Sequence, residues 1–174
     1  FLLSTLILAP GIVVNAILKD NWGRPRPRNV DLFGGDMPYV PVWHVTNHCD
    51  TNCSFVSGEA SSSIWLLSLA FLAPKSWRAP VAAAVLVLAA ALSLNRVAFG
   101  GHFLSDTLLS WGITFLILLV AYRVFYVRPP AFLAESALER GFSRAGRAIR
   151  HALAGAAMRI RSGLAGWAGM FGKE

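Results

Sequence analysis

Charge is scarce in this chain, and negative charge scarcest. Nine Asp and Glu stand against 16 Lys and Arg in 174 residues, so charged side chains make up only 14% of the sequence. A soluble domain carries about 25%. The deficit excludes an ordinary water-soluble globule. Cysteine is nearly absent too. Two residues cannot build the disulfide framework of a small secreted domain, though two close together can form one bridge. A signal peptide is not evident, and residue 1 is a Phe inside an apolar run, so the chain reads as a fragment that starts within a helix. What it has in plenty is apolar surface: 55% of residues are hydrophobic, and the mean hydropathy is +0.53. That composition belongs to a membrane protein, where lipid covers the apolar faces.

Four apolar segments follow one another at about 1–18, 55–73, 77–94 and 103–127. Each approaches the roughly 20 residues that cross a bilayer as a helix. The expected fold is therefore all-α: an integral membrane bundle with four transmembrane helices over 1–128, an outer loop over 19–54, and a separate tail over 129–174. The loop is polar, rich in Gly, Pro and Asn, and too long to be a mere turn. Pro74-Lys75-Ser76 makes the second and third segments a tight hairpin.

Lys and Arg in the connections set the orientation. Lys75 and Arg78 lie between the second and third helices, while Arg123 and Arg128 follow the fourth. Those ends belong on the cytoplasmic side. Residues 19–54 and 95–102 then share the outer side. Arg24, Arg26, Arg28 and Arg96 violate the positive-inside trend there, and binding a phosphate would explain the violation.

The net charge of +7 suits either nucleic acid or anionic lipid. The basic residues concentrate in the last third beside an apolar body, which favours lipid and gives no nucleic-acid partner. In the tail, Leu138, Phe142, Ala145, Ile149, Leu153, Ala156, Ile160, Leu164, Trp167 and Phe171 step by 4, 3 and 4 residues. That period is close to a straight helix. Arg140, Arg144, Arg147 and His151 fall on the opposite face, and Arg150 and Arg161 flank the stripe. A basic amphipathic helix of this kind is expected on an anionic leaflet, or else packed on a partner protein.

Three clusters carry chemistry, all on the outer side. They are Lys19-Asp-Asn-Trp-Gly-Arg-Pro-Arg26-Pro27, then Ser57-Gly58-Glu59, then Arg96-Val-Ala-Phe-Gly-Gly-His102-Phe-Leu-Ser-Asp106. His102 and Asp106, four apart at a helix start, are expected to share a face. A carboxylate there accepts one ring N–H and leaves the other nitrogen as nucleophile or base. Lys19, Arg26 and Arg96 can neutralise a phosphoryl group. Ser57 and Gly58 open a helix whose free N–H groups favour an anion. Such a set supports phosphoryl transfer with side-chain cations in place of a metal. Arg24 and Arg28 read instead as loop or headgroup contacts. Asp20, Asp31, Asp36 and Asp50 read as solvated carboxylates, and Asn15, Trp65 and Trp111 as packing residues.

The order and spacing of the clusters resemble the three-part signature of the type 2 phosphatidic acid phosphatases, K-x6-R-P, S-G-H and R-x5-H-x3-D. Lys19, Arg26 and Pro27 match the first part, Ser57 and Gly58 the second, and Arg96, His102 and Asp106 the third. Val56 stands where proline is usual, and Asn95 where serine is commoner. The resemblance implies a six-helix bundle, about two helices of it lying upstream. It implies attack on phosphorus by His102 with a phosphohistidine intermediate, orientation of His102 by Asp106, and phosphoryl binding by Lys19, Arg26, Arg96, Ser57 and backbone N–H groups. No cofactor or metal is implied.

The family histidine that protonates the leaving oxygen is Glu59 here. A glutamate serves as a general acid where burial or a neighbouring anion keeps its proton on. Alternatively it positions a water, binds a sugar or amine of the substrate, or marks weak activity. The stretch CDTNCSFVSGEA, residues 49–60, is similar to a subgroup that includes lipid A 4'-phosphatases. Cys49 and Cys53 would suit a short bridge in an oxidising outer compartment. Zinc with His44 and His48, or free thiols, are the alternatives.

The expected function is hydrolysis of a phosphomonoester or pyrophosphate on a membrane lipid, of the lipid A, phosphatidylglycerophosphate or undecaprenyl pyrophosphate class. The expected place is a bacterial inner membrane, spanned several times, with the active site facing the periplasm. Transfer to another lipid or sugar is one alternative, and an inactive lipid-binding scaffold another. A vanadium haloperoxidase shares the site pattern, but those enzymes are soluble.

Overall fold

The computed structural model describes the backbone of residues 1–171 and the side chains of residues 1–155. Among the described residues the secondary structure is helical, with one isolated bridge between Val30 and Met37. It divides into two units, Phe1–Val127 and Arg128–Glu174.

Three helices of the first unit are long and apolar enough to cross a membrane: α1 (Leu2–Lys19), α4 (Lys75–Ala98) and α5 (Leu104–Val127). The expected second span differs. It is a shorter apolar helix, Gly58–Leu72, interrupted at Leu66 into α2 (Gly58–Trp65) and α3 (Leu67–Leu72). Its start is fixed by Ser57, an extended N-cap residue whose hydroxyl accepts the Ala60 N–H. Its end is fixed by extended Ala73 before Pro74, since the residue before proline is driven out of the helical region. Fifteen residues rise about 22 Å, against a hydrocarbon core of about 30 Å. Three helices of full crossing length and one short helix thus stand at the four expected segments.

α1 carries Pro10 in its interior, which lacks an N–H to donate. From Ile7 to Lys19 the helix winds in the wider register of five-residue hydrogen bonds. Asn15 Nδ2 donates to the Pro10 carbonyl at 2.7 Å.

The short α2 is the central post, packing against α1, α4 and α5. Its interfaces are built from small and hydroxylated residues, as lipid-embedded helices require for close approach. Ser61 and Thr114 hydroxyls meet at 2.7 Å, and Ser110 Oγ donates to the Ser57 carbonyl at 2.6 Å. Trp65 and Trp111 are packing residues with tied-down N–H groups, donating to Thr5 and Ser93. Apolar side chains such as Ile7, Val87, Leu116 and Val120 point outward. Lipid, not protein, is the solvent they fit.

Because α1 ends, α2 begins, α4 ends and α5 begins at the same end of the unit, all three chemical clusters meet there. The connection over residues 19–54 folds onto that end. Arg28 N–H donates to the Gly100 carbonyl at 3.1 Å, and Trp22 stacks on Phe55 with centroids 4.2 Å apart. Cys49 and Cys53 form a disulfide in this connection. With both sulfurs in the bridge, neither is free to ligate zinc beside His44 and His48.

The second unit holds α6 (Glu135–Phe171). Within it Leu138, Phe142, Ile149 and Leu153 are exposed. The remaining stripe residues, Ala156, Ile160, Leu164, Trp167 and Phe171, and the flanking Arg161, have side chains outside the described residues.

Candidate active site

His102 lies in the link between α4 and α5, before α5 begins at Leu104. It is 2% exposed. Its Nδ1 is 2.6 Å from the Ser54 carbonyl oxygen. A carbonyl can only accept, so Nδ1 carries the hydrogen and the neutral ring keeps its lone pair on Nε2. Nε2 makes no hydrogen bond among the described residues. Burial pushes the imidazole down to about pKa 4; the Ser54 bond opposes this, and nearby Arg26, Lys19 and Arg96 add to it. At neutral pH the ring is uncharged with an available lone pair.

The expected pairing of His102 with Asp106 is not found. The reason is local: His102 precedes the helix, so four-residue spacing gives no shared helical face. Asp106 is fully buried in the first turn of α5, and both its oxygens are taken. Oδ1 accepts from Arg24 Nη1 at 2.5 Å. Oδ2 accepts from Ser54 Oγ at 2.5 Å and from the Phe103 N–H at 3.1 Å. Asp106 reaches the imidazole through Ser54 and the backbone beside it through the Phe103 N–H.

Arg24 is the second departure. It makes the expected loop contact, at Val40, but at 1% exposure it is no headgroup contact. Its Nε donates to the Val40 carbonyl and its Nη1 to Ser105 and Asp106, while Phe103 covers the guanidinium at 4.1 Å. Ser54 was also missed. No sequence pattern couples these groups, since 82 residues separate Arg24 from Asp106. The one hint is the repeated Arg-Pro of residues 24–27, in which proline stiffens the backbone and the fold alone decides what each arginine meets.

The three cations among the expected phosphate ligands lie within electrostatic reach of one another. Arg26, 7% exposed, donates to the Asn52 carbonyl at 3.0 Å and to Asn52 Oδ1 at 2.6 Å. Burial, then Arg28 and Arg96, hold it below the usual guanidinium range, though arginine stays cationic. Lys19 and Arg96 lie within electrostatic reach of it and of His102. Arg96 Nε is 3.1 Å from Glu59 Oε2, an ion pair without hydrogen-bond alignment, so this otherwise buried donor has no hydrogen-bond partner. Three cations this near one another repel, and the exposed carboxylates of Asp20 and Glu59 offset them only in part. An arriving anion would relieve that repulsion.

Glycine makes two of these approaches feasible. A Cβ on Gly58 would stand 2.7 Å from Asn15 Oδ1, and one on Gly101 3.2 Å from the Arg96 guanidinium. Ser57 is fully buried, and its oxygen is engaged at the head of α2. The first-turn N–H groups of Gly58 and Glu59 have no intrahelical partner. Glu59 is more than half exposed.

Two clefts flank the cluster. One, about 540 Å3, is lined by Asn15, Lys19, Gly58, Glu59, Ser62, Ser63, Leu66 and Leu92. The other, about 480 Å3, holds His102 with Arg28, Phe33, Phe99, Phe103 and Leu104 among its walls. A third cavity of about 460 Å3 is almost wholly apolar, lies between the helices and contains none of the chemical clusters.

The chain is similar to several known proteins. Lipid A 4'-phosphatase of Rhizobium leguminosarum is 44% identical over 109 residues, 63% of this chain and 47% of that protein. Lipid A 4'-phosphatase of Rhizobium etli is 46% identical over 112 residues, 63% of this chain and 42% of that protein. Lipid A 4'-phosphatase of Francisella tularensis subsp. novicida is 38% identical over 127 residues, 72% of this chain and 57% of that protein. The chain thus spans about half the length of the curated relatives it matches. No solved structure gives a significant match. With bacterial relatives and helices fit to cross a bilayer, it is a bacterial membrane protein. The PAP2 superfamily profile covers residues 1–130, three quarters of the sequence and every cluster described above, and the chain belongs to that superfamily.

Proposed function

We propose that this chain is the catalytic part of a lipid phosphatase that removes a phosphate monoester from a lipid A-type glycolipid at the outer face of the inner membrane. The observation that carries this reading is the fixed tautomer of His102: Nδ1–H is committed to Ser54, and Nε2 keeps its lone pair on a ring that Arg26, Lys19 and Arg96 reach electrostatically. The names of the relatives point to the substrate class.

In the first step Nε2 attacks phosphorus and the bond from phosphorus to the sugar oxygen breaks. The leaving oxygen takes a proton, for which Glu59 is the candidate donor. In the second step water attacks the phosphohistidine and gives a proton back to the Glu59 carboxylate, the P–N bond breaks with its electron pair returning to Nε2, and inorganic phosphate leaves with His102 neutral again. Splitting one displacement into two is the gain from covalent catalysis. Lys19, Arg26, Arg96 and the free N–H groups at the head of α2 hold the phosphoryl oxygens as charge builds. Asp106 acts at one remove, through Ser54. Glu59 is the counter-ion of Arg96, which places it at the edge of the phosphoryl site.

The test is phosphate release by the full-length protein in detergent, from lipid A, phosphatidylglycerophosphate and undecaprenyl pyrophosphate, with a chelator present. Wild type releases phosphate from lipid A, and His102→Ala loses activity by at least about a thousandfold. Equal inactivity of both proteins on all three lipids would favour a lipid-binding scaffold. Glu59→Gln is expected to slow turnover of lipid A while sparing an aryl phosphate, whose leaving group needs no proton. Equal rates for wild type and Glu59→Gln on lipid A remove the acid role.

A further inference from the structure

We propose that Arg24 is a positioning residue for this phosphoryl transfer, acting on His102 through Asp106 and Ser54; the proposal rests on the reading of His102 as nucleophile. The contacts form an unbroken chain. Arg24 Nη1 holds Asp106 Oδ1 at 2.5 Å, Asp106 Oδ2 holds the Ser54 hydroxyl at 2.5 Å, and the Ser54 carbonyl holds the histidine ring at 2.6 Å. Ser54 is gripped a second time, because its N–H donates to the Arg24 carbonyl at 2.8 Å. Both the backbone and the side chain of Ser54 are thus set by Arg24 or its ion-pair partner. The direction of its carbonyl, and with it the choice of ring tautomer, follows.

A buried ion pair by itself is weak evidence of anything beyond structure, because desolvation offsets its Coulomb gain. Two features single this one out. The guanidinium is used as a fork: Nε reaches the Val40 carbonyl while Nη1 serves Ser105 and Asp106, and the Phe103 ring covers its face at 4.1 Å. Lysine cannot reproduce that geometry. The anion it fixes also spends its second oxygen on the residue whose carbonyl touches the imidazole. Arg24 touches neither substrate nor reacting atoms. Its effect is on how often Nε2 stands in line with phosphorus, and small misplacements there are costly to rate.

The test uses the full-length protein in mixed micelles with lipid A labelled with 32P at the 4'-phosphate, quenched in alkali to preserve phosphohistidine. Arg24→Lys keeps a charge opposite Asp106. The pair Arg24→Met with Asp106→Asn removes both charges together, so neither is stranded. At saturating substrate, the rate of phosphohistidine formation falls by about tenfold or more in Arg24→Lys and by about a hundredfold in the double variant. KM stays within about twofold of wild type, because Lys19, Arg26 and Arg96 are untouched. The amplitude per molecule of total protein is unchanged. A merely structural arginine gives the opposite pattern, a smaller amplitude with a wild-type rate, and that result in Arg24→Lys overturns the proposal. His102→Ala runs in parallel. If wild type forms no phosphohistidine and His102→Ala releases phosphate as fast, the nucleophile reading fails and takes this one with it. If His102→Ala is inactive while Arg24→Lys keeps the wild-type rate, only the role of Arg24 fails.

Discussion

A histidine buried beside three cations titrates far from its ordinary value, and that has two consequences. With a folded pKa of about 4, the acid limb of kcat/KM is expected near pH 4, not near 6.5. Stability follows the same group. The folded state binds its proton less readily than the unfolded state, so this contribution is complete above pH 6.5 and is lost as pH falls toward 4. The size is about 3 kcal/mol. Thermal melts across that range in wild type and in His102→Gln would check it, the variant showing the shallower pH dependence. Superimposable pH profiles would mean that His102 does not titrate as its surroundings require. At this scale the residue types were legible: His102, Arg26, Arg96 and Lys19 stood out as charges in an apolar chain. Their partners were not, because a hydrogen bond between residues 54 and 102 leaves no mark on spacing.

Among the elements, the short helix Gly58–Leu72 does the most to shape the site. Its head carries Ser57, Gly58 and Glu59, and its body is the surface on which α1, α4 and α5 pack. Gly58→Ala would displace the Asn15 amide, which bonds the Pro10 carbonyl of α1, so a modest drop in melting temperature with a matching drop in activity is expected, in contrast to a catalytic lesion. Immediately before this helix, the Cys49–Cys53 bridge closes a loop that includes Asn52, the partner of Arg26. A loop this short is worth about 2 kcal/mol by chain entropy. Reduction is therefore expected to lower the melting temperature modestly and to raise KM as Arg26 loosens; an unchanged KM after complete reduction would detach the bridge from the site. The tail helix Glu135–Phe171 has exposed Leu138, Phe142, Ile149 and Leu153 with arginines on its other face. The isolated segment is expected to bind vesicles rich in anionic lipid, to release in high salt, and to leave zwitterionic vesicles alone. Equal binding to both would point to apolar insertion alone.

At the scale of the whole molecule, topology gathers the site. Helices that run up, down, up and down bring four helix ends and a long connection to one face, and the cationic cluster sits on it. Cysteines introduced at exposed Asp36 and at exposed Lys75, in a background lacking Cys49 and Cys53, should react with a membrane-impermeant thiol reagent from opposite sides. Labelling of both from the same side would overturn the proposed orientation. The sequence alone determined the solvent, because hydropathy sums over residues and needs no contact map. It determined the helical class, the order of the chemical clusters and their gathering on one face, since alternating spans leave no other arrangement. The length of the second helix was not legible, because hydropathy cannot see where a backbone leaves the helical region, and residues 55–57 are apolar or small yet not helical. What only the tertiary structure decided is which carboxylate meets which cation. Asp106 turns to Arg24 and not to His102, because burying an aspartate demands a full-strength counter-ion and the loop delivers one. The imidazole, left to a carbonyl, stays neutral among its cations.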